Sequence, residues 1–353
     1  MLGRAIHRFR WAVPYLLMAP GLLWLIVFFV VPMVPMILFS ISEGTVNTGI
    51  VQPPNVWAFG NYPDVVVKFS DNVRNSLVFG GLATISCFAI GYPLAYAIAF
   101  RGGRYKNLLL FLVIAPFFTS FLIRTISWKV ILGNDGPFLT VVRDALKLVP
   151  ANFSIVGTPL AVVSGLTYQM LPFMVLPLYV SLEKIDGRLI EAARDLYAGP
   201  WRPRGTIIGA ALGALFAAAL MVGLRYADLS SGTDGPVVAG VAAAVGALVG
   251  AAIAHFLISE AFVRVVFPLS LPGVFAASIL TFIPAVGDYV NATLLGVSPN
   301  NQMIGNVIQG RFLFQTDYPT ASALSFILMG AILVVIAVYA KVLGTEELSG
   351  GVA

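Results

Sequence analysis

The sequence predicts an all-α protein, a polytopic bundle of about eight transmembrane helices. Three observations carry that prediction. Of 353 residues, 59% are hydrophobic and 10% charged, against about 25% charged in a soluble domain, so there is too little polar surface to cover a globule. The apolar residues fall in long runs, each able to cross a hydrocarbon core of about 30 Å at about 1.5 Å per residue. Lys and Arg gather in the segments between alternate runs, as the positive-inside rule requires. The formal charge of +5 therefore does not imply nucleic acid, because the basic residues form no single patch.

Taken in order, the first run covers 14–40, behind Arg4, His7, Arg8 and Arg10. It exceeds the apolar core of a signal peptide, about 7–15 residues, and is expected to remain as an uncleaved span. Further runs follow at 76–100, 108–131, 159–182, 206–224, 236–258, 273–295 and 320–343. Their backbone polar groups must be satisfied internally, so each reads as a helix. Alternation puts the N-terminal tail, Arg101, Arg104, Lys106, Lys184, Arg188, Arg194, Arg202, Arg204, Arg264 and Lys341 on one side. That side is cytoplasmic, with both termini on it. Segments 42–72, 132–158, 225–235 and 296–319 lie outside, and 42–72, with Pro53, Pro54 and Pro63, reads as an ordered loop. Cys87 stands alone in an apolar run, which leaves no disulfide within the chain.

The segment after the fourth run is Arg188-Leu-Ile-Glu-Ala-Ala-Arg-Asp-Leu-Tyr-Ala-Gly-Pro-Trp-Arg202. Leu189, Ile190, Ala193, Leu196 and Tyr197 share one side at helical spacing, with Arg188, Glu191, Arg194 and Asp195 toward the other. Gly199-Pro200 stops it. Periodicity alone allows a helix lying on the membrane surface between two spans.

Glu191-Ala192-Ala193, then Gly199, then Phe262-Val-Arg-Val-Val-Phe-Pro-Leu-Ser-Leu-Pro-Gly273, resemble the EAA loop of ATP-binding-cassette importer permeases, the binding-protein-dependent inner-membrane transport components. In that family the loop forms a coupling helix seated in a groove of a cytoplasmic ATPase. The resemblance implies ATPase-docking roles for Glu191, Ala192, Ala193, Asp195, Leu196 and Gly199. Ala115-Pro-Phe-Phe-Thr-Ser-Phe-Leu-Ile-Arg-Thr125 with Trp128, and Phe282-Ile-Pro-Ala-Val-Gly-Asp-Tyr-Val290 followed by Asn301-Gln-Met-Ile-Gly-Asn-Val-Ile-Gln309, resemble spermidine/putrescine permeases. The implied fold is an importer permease of about six core spans. The implied partners are a cytoplasmic ATPase dimer that holds the ATP and Mg, a second permease subunit, an external substrate-binding protein and the bilayer. The chain itself would bind no cofactor and be no enzyme. The implied location is the bacterial inner membrane.

One block departs from the family. Trp201-Arg202 would read straight into Ala261-Phe262 without residues 203–260. Residues 1–202 and 261–353 thus read as a discontinuous permease domain, and 203–260 as an inserted two-span hairpin that restores sidedness. Gly205, Gly209 and Gly213, and likewise Gly246 and Gly250, repeat every fourth residue. This spacing allows close helix approach, either within the hairpin or with another subunit. His255 in the hairpin reads as a packing residue. We expect the coupling helix still to lie beside 262–272 despite the insertion.

No phosphate-cradling Gly-x-x-x-x-Gly-Lys-Ser/Thr and no His-Glu-x-x-His occurs. His7 and His255 are far apart in sequence, and no metal site is expected. Charges within the runs are few: Arg124 and Lys129 in or near the third, Asp288 in the seventh. Asp288 beside Tyr289 offers a carboxylate and an aromatic face to a cationic substrate. The alternatives are pairing with Arg124 and contact with water at the outer interface. Asp288, Tyr289, Arg124 and Trp128 are the candidate pathway residues. The rival reading, an ion-gradient-driven secondary transporter, needs coupling-ion ligands on broken helices in two repeated halves, and no repeat is evident.

Overall fold

The computed structural model of the chain describes residues 13–145, 154–196, 262–296 and 301–343. Among these residues the ordered secondary structure is helical, apart from one isolated bridge between Glu43 and Val51. The described residues fall into two compact units. One runs up to Ser70 and includes Ile308–Met329, and the other holds Asp71–Val307 and the residues from Gly330 on.

In the first unit, α1 (Val13–Leu25) and α2 (Val31–Ser40) are joined by a π-helical turn, Ile26–Val30. Pro32 and Pro35 remove two N–H donors just beyond that turn, a setting in which helices widen. The stretch Leu17–Ser40 is apolar enough to span a membrane, and almost all of it is exposed, with Ser40 buried at its end. Its end is tied down by the next helix, α3 (Asn61–Lys68). The Asn61 side chain donates to the carbonyls of Ser40 and Ser42 at 3.1 and 2.8 Å, and the Ser40 hydroxyl lies 2.8 Å from that of Tyr62. The expected order of segment 42–72 is present, and part of it is helical. Arg311 pairs with Asp317 at 3.2 Å and covers the Phe69 ring at 5.4 Å.

The second unit is built on α4 (Ser70–Arg101), α7 (Pro159–Glu183) and α9 (Phe267–Gly287). Between them in sequence lie α5 (Lys106–Ile114), α6 (Phe121–Leu132) and α8 (Gly187–Leu196). Beyond α9 come α10 (Val290–Leu295) and α11 (Ile304–Gln309), while α12 (Tyr318–Leu343) has its residues up to Met329 in the first unit and the rest in the second. Small residues set the close approaches. A β-carbon on Gly273 of α9 would overlap Ser181 of α7, and one on Gly91 of α4 would lie 3.0 Å from Met174 Cγ. Tyr92 and Ser270 join α4 to α9 through their hydroxyls at 2.7 Å. Around these contacts a core forms from Cys87, Tyr92, Ile98, Met174, Leu178 and Ala277, with Ile190 and Phe262 at its edge. Cys87 is thus a packed core residue, with its thiol donating to the Thr167 carbonyl at 3.3 Å. A second cluster gathers Phe79, Leu132, Leu166, Leu295 and Met303.

Five described helices are long and apolar enough to cross a membrane, six if a bent pair counts as one span. The first, second, fourth and eighth predicted runs each correspond to one of these. The third, expected as one helix over 108–131, is broken. The α5 side passes through a 3₁₀ turn, Ala115–Phe118, and α6 restarts at Phe121 with a 95° bend between them. Pro116 lacks an N–H, and Thr119 and Ser120 are extended, with ψ of 151° and 135°. The seventh, expected over 273–295, begins earlier and ends at Gly287. There Asp288 turns extended and a separate helix, α10, begins. The fifth and sixth runs, with the whole block 203–260, lie outside the described residues.

Candidate functional site

Two places hold the predicted site residues, and both lie in the second unit. The first is α8. Its start is fixed by Asp186, whose carboxylate accepts from Arg188 N at 2.9 Å and whose carbonyl accepts from Leu189 N at 3.0 Å, an N-terminal cap. The helix lies against the π-helical turn Phe262–Val266, which leads into α9. Ile190 and Phe262 belong to one buried cluster. The expected juxtaposition of the coupling segment with 262–272 therefore holds, although 65 residues separate Leu196 from Phe262 in sequence.

The side chains of α8 divide differently from the prediction. Ile190 and Ala193 are buried, but Leu189 is 51% and Leu196 79% exposed. At about 100° per residue, Leu189, Ala192 and Leu196 line a stripe well round from Ile190. One narrow contact with the Phe262 turn covers only part of the apolar arc. Ala192, Glu191 and Asp195 are exposed as well. Ala193 is turned into the chain's own core, so it seats the helix and does not face outward. Gly199 and Tyr197 lie outside the described residues.

The second place is the junction of α6, α7 and α10, where both broken spans meet one intact helix. Trp128 of α6 stacks on Tyr168 of α7, with centroids 5.3 Å apart and planes 5° apart. Its Nε1 donates to Ser164 Oγ at 3.2 Å. A β-carbon on Gly165 would lie 3.4 Å from Trp128 Cδ1 and 3.1 Å from Asn291 Oδ1, so the absent side chain lets α6 and α10 close on α7. Gln169, one turn further on, donates through Nε2 to Phe121 O at 3.3 Å and to Thr125 Oγ1 at 3.0 Å. That bond holds the end of α6 that the break leaves open.

Asp288 is committed within the chain. Its Oδ1 accepts from Asn291 N at 2.7 Å and its Oδ2 from Asn291 Nδ2 at 3.3 Å, which caps α10. Arg124 does not neutralise it. The Arg124 guanidinium sits over Phe117 and Phe121, 5.1 and 5.8 Å from their centroids, with residue exposure of 8%. Among the described residues, its Nε and Nη1 have no hydrogen-bond partner. Tyr289 is half-exposed at the break, and its carbonyl accepts from Thr293 Oγ1 at 2.6 Å and Asn306 Nδ2 at 3.1 Å. Trp128 and the Asp288–Asn291 pair thus come together around Gly165. Sequence reading missed Gly165, Tyr168, Gln169 and Asn291. The one available signal was an amide in an apolar run, and Gln169 is such a residue. No group of metal-ligating side chains occurs among the described residues.

No family model matches the chain. It is 32% identical over 323 residues to the spermidine/putrescine transport system permease protein PotB of Haemophilus influenzae, covering 90% of this chain and 89% of that one. To PotB of Escherichia coli K12 it is 31% identical over 284 residues, 79% of this chain and 82% of the relative. To the inner membrane ABC transporter permease protein YdcU of the same organism it is 25% identical over 276 residues, 73% and 66% respectively. Identity at this level along nearly the full length, on a helical chain with several membrane-crossing helices, places the chain in the family of spermidine/putrescine transport system permease proteins.

Proposed function

We propose that the chain is the membrane-spanning subunit of an ATP-binding-cassette importer that carries a polyamine such as spermidine or putrescine across a bacterial inner membrane. The observation that carries this reading is α8. It is a capped amphipathic helix rooted on the chain's own core through Ile190 and Ala193, and it presents Leu189, Ala192 and Leu196 outward beside Glu191 and Asp195. An exposed apolar stripe flanked by charge suits an apolar groove on a second protein. The names of the relatives supply the transport class and the substrate.

On this reading a cytoplasmic ATPase dimer binds ATP and Mg and receives α8 through Glu191, Ala192, Asp195, Leu196 and Gly199, with Ala193 seating the helix. A second permease subunit completes the path, and an external binding protein delivers the substrate. ATP drives transport only if it favours one of two positions of α8 over the other. The root of α8 gives such motion a route inward. Ile190 touches the cluster that holds α4, α7 and α9 together, and α7 carries the junction with Trp128. The full chain is read as six core spans plus an inserted hairpin at 203–260, with both termini cytoplasmic. Asp288, Tyr289, Arg124 and Trp128 are assigned to the substrate pathway. The test is uptake of radiolabelled putrescine and spermidine by cells lacking their own polyamine import. Uptake abolished by ATP depletion but insensitive to collapse of the ion gradients supports the reading. Uptake that follows the ion gradient overturns it.

A further inference from the structure

In the first unit, the apolar stretch Leu17–Ser40 ends beside the start of α12. The Phe39 and Tyr318 rings lie 5.7 Å apart, and Asp317 caps α12 by accepting from Thr320 N at 3.2 Å. Both helices are apolar enough to cross a membrane, so this pair marks the level at which two spans leave the hydrocarbon. The chain beyond Ser40 returns to that level. Ala58 N donates to Ile41 O at 2.8 Å, and the Asn61 side chain donates to the carbonyls of Ser40 and Ser42. At the far end of α3, the Phe69 ring lies under Arg311, which is paired with Asp317. Both ends of α3 are thus fixed beside span ends. The helix runs across them, which is the posture of a helix lying in the membrane interface.

The side chains along this segment do not suit water. Trp57 and Phe59 flank the buried Ala58, are 57% and 61% exposed, and stack with centroids 6.0 Å apart. On α3, Val65 is buried and Asn61 is turned to Ser40 and Ser42. At about 100° per residue, Pro63, Val66 and Val67 share another side. All three are exposed, Val67 by 78%. Asp64 and Lys68 take the remaining side and are exposed too. One apolar side therefore roots α3, and a second is left open next to charge. Exposed apolar surface of this kind marks a contact. Its continuity says with what. The exposed apolar surface of the span runs up to Leu38, directly below the level of Trp57 and Phe59. Tryptophan at the end of a span is suited to the headgroup region, where one part of the ring is dry and its N–H is wet.

We propose that residues 57–68 are an interfacial anchor, with Trp57, Phe59, Pro63, Val66 and Val67 seated in the headgroup region of the bilayer. The anchor sets the depth of the first span, which is almost wholly exposed and has little packing of its own. It acts whatever solute the importer carries.

The test uses the full chain, with the partners that copurify, in vesicles of phosphatidylethanolamine and phosphatidylglycerol. A nitroxide is attached at Val67→Cys, at Phe59→Cys and, as a water reference, at Asn47→Cys on the exposed loop tip. Cys87 is buried, so the unsubstituted chain supplies the blank. Collisions with oxygen, which enters lipid, are compared with collisions with a water-soluble nickel chelate. The labels at 67 and 59 are expected to show an oxygen-to-nickel ratio several times that at 47, with or without added substrate-binding protein. Positions 67 and 59 lie on separate segments, so either decides alone if the other variant does not insert, and Val67, being so exposed, tolerates replacement. A ratio at 67 equal to that at 47 places the segment in water and overturns the anchor. Shielding from nickel that arises only when the substrate-binding protein is added assigns the surface to that protein and overturns it as well. Shielding from both oxygen and nickel in the vesicles does the same in favour of another subunit.

Discussion

The α8 surface and the α6–α7–α10 junction use their polar residues in opposite ways. On α8, Glu191 and Asp195 are exposed, and the apolar stripe of Leu189, Ala192 and Leu196 is left uncovered. At the junction, Asp288, Asn291, Gln169 and Arg124 are buried, and each polar atom is either tied to a neighbour or left without a partner. The first is a surface that the chain's own core leaves open. The second is an interior that holds two interrupted helices in place. A substitution on α8 should therefore change function without changing stability, and most substitutions at the junction should change both.

The largest effect that sharpens this contrast is expected from Glu191→Lys and Leu196→Asp. Each should reduce ATP-driven uptake to background while the melting temperature stays within about 1 °C, because exposed positions contribute little to stability. A matching loss of stability in either variant would break the contrast. Next is Gly273→Leu. A β-carbon at this position would overlap Ser181 and lie 3.3 Å from the Pro177 carbonyl oxygen, so a side chain there has to push α9 away from α7. Overpacking of this kind costs about 1–3 kcal/mol, and thermal unfolding in detergent measures it. A smaller effect is expected from Asp288→Ala, which removes the cap of α10 and should cost about 1 kcal/mol, whereas Asp288→Asn keeps an acceptor for Asn291 N and loses less. The smallest is Lys106→Ala. Its ion pair with Glu183, 2.6 Å long, joins the start of α5 to the end of α7 in exposed surroundings, and such pairs contribute little.

What could be read from the sequence follows the same division. The spans were legible because burial in hydrocarbon imposes one demand, a long apolar run, and hydropathy measures that demand directly. The existence of α8 was legible from its period. Which apolar side chains it buries was not, since that depends on how much of the helix Phe262 and its turn cover. The two breaks were missed for a related reason. Pro116 sits among phenylalanines, and an apolar window records its hydropathy without its missing N–H. Asp288 stands out as a charge in a span, and the roles weighed for it, substrate contact, pairing with Arg124 or water at the outer interface, all looked beyond its own helix. The structure commits it locally to Asn291, three residues on, which is the spacing of a helix cap. Gln169 and Gly165 matter through neighbours on α6 and α10 that are distant in sequence, and no local pattern encodes those contacts.

The central claim is that α8 is the seat of a partner ATPase. The most direct measurement is purification of the chain from native membranes in a mild detergent, with mass spectrometry of the proteins that come with it. The account predicts an ATPase bearing a phosphate-binding Gly-x-x-x-x-Gly-Lys-Ser/Thr loop with the wild-type chain. It also predicts loss of that ATPase from both Glu191→Lys and Leu196→Asp. A stable chain recovered alone, or an ATPase retained at full yield by both variants, would contradict it.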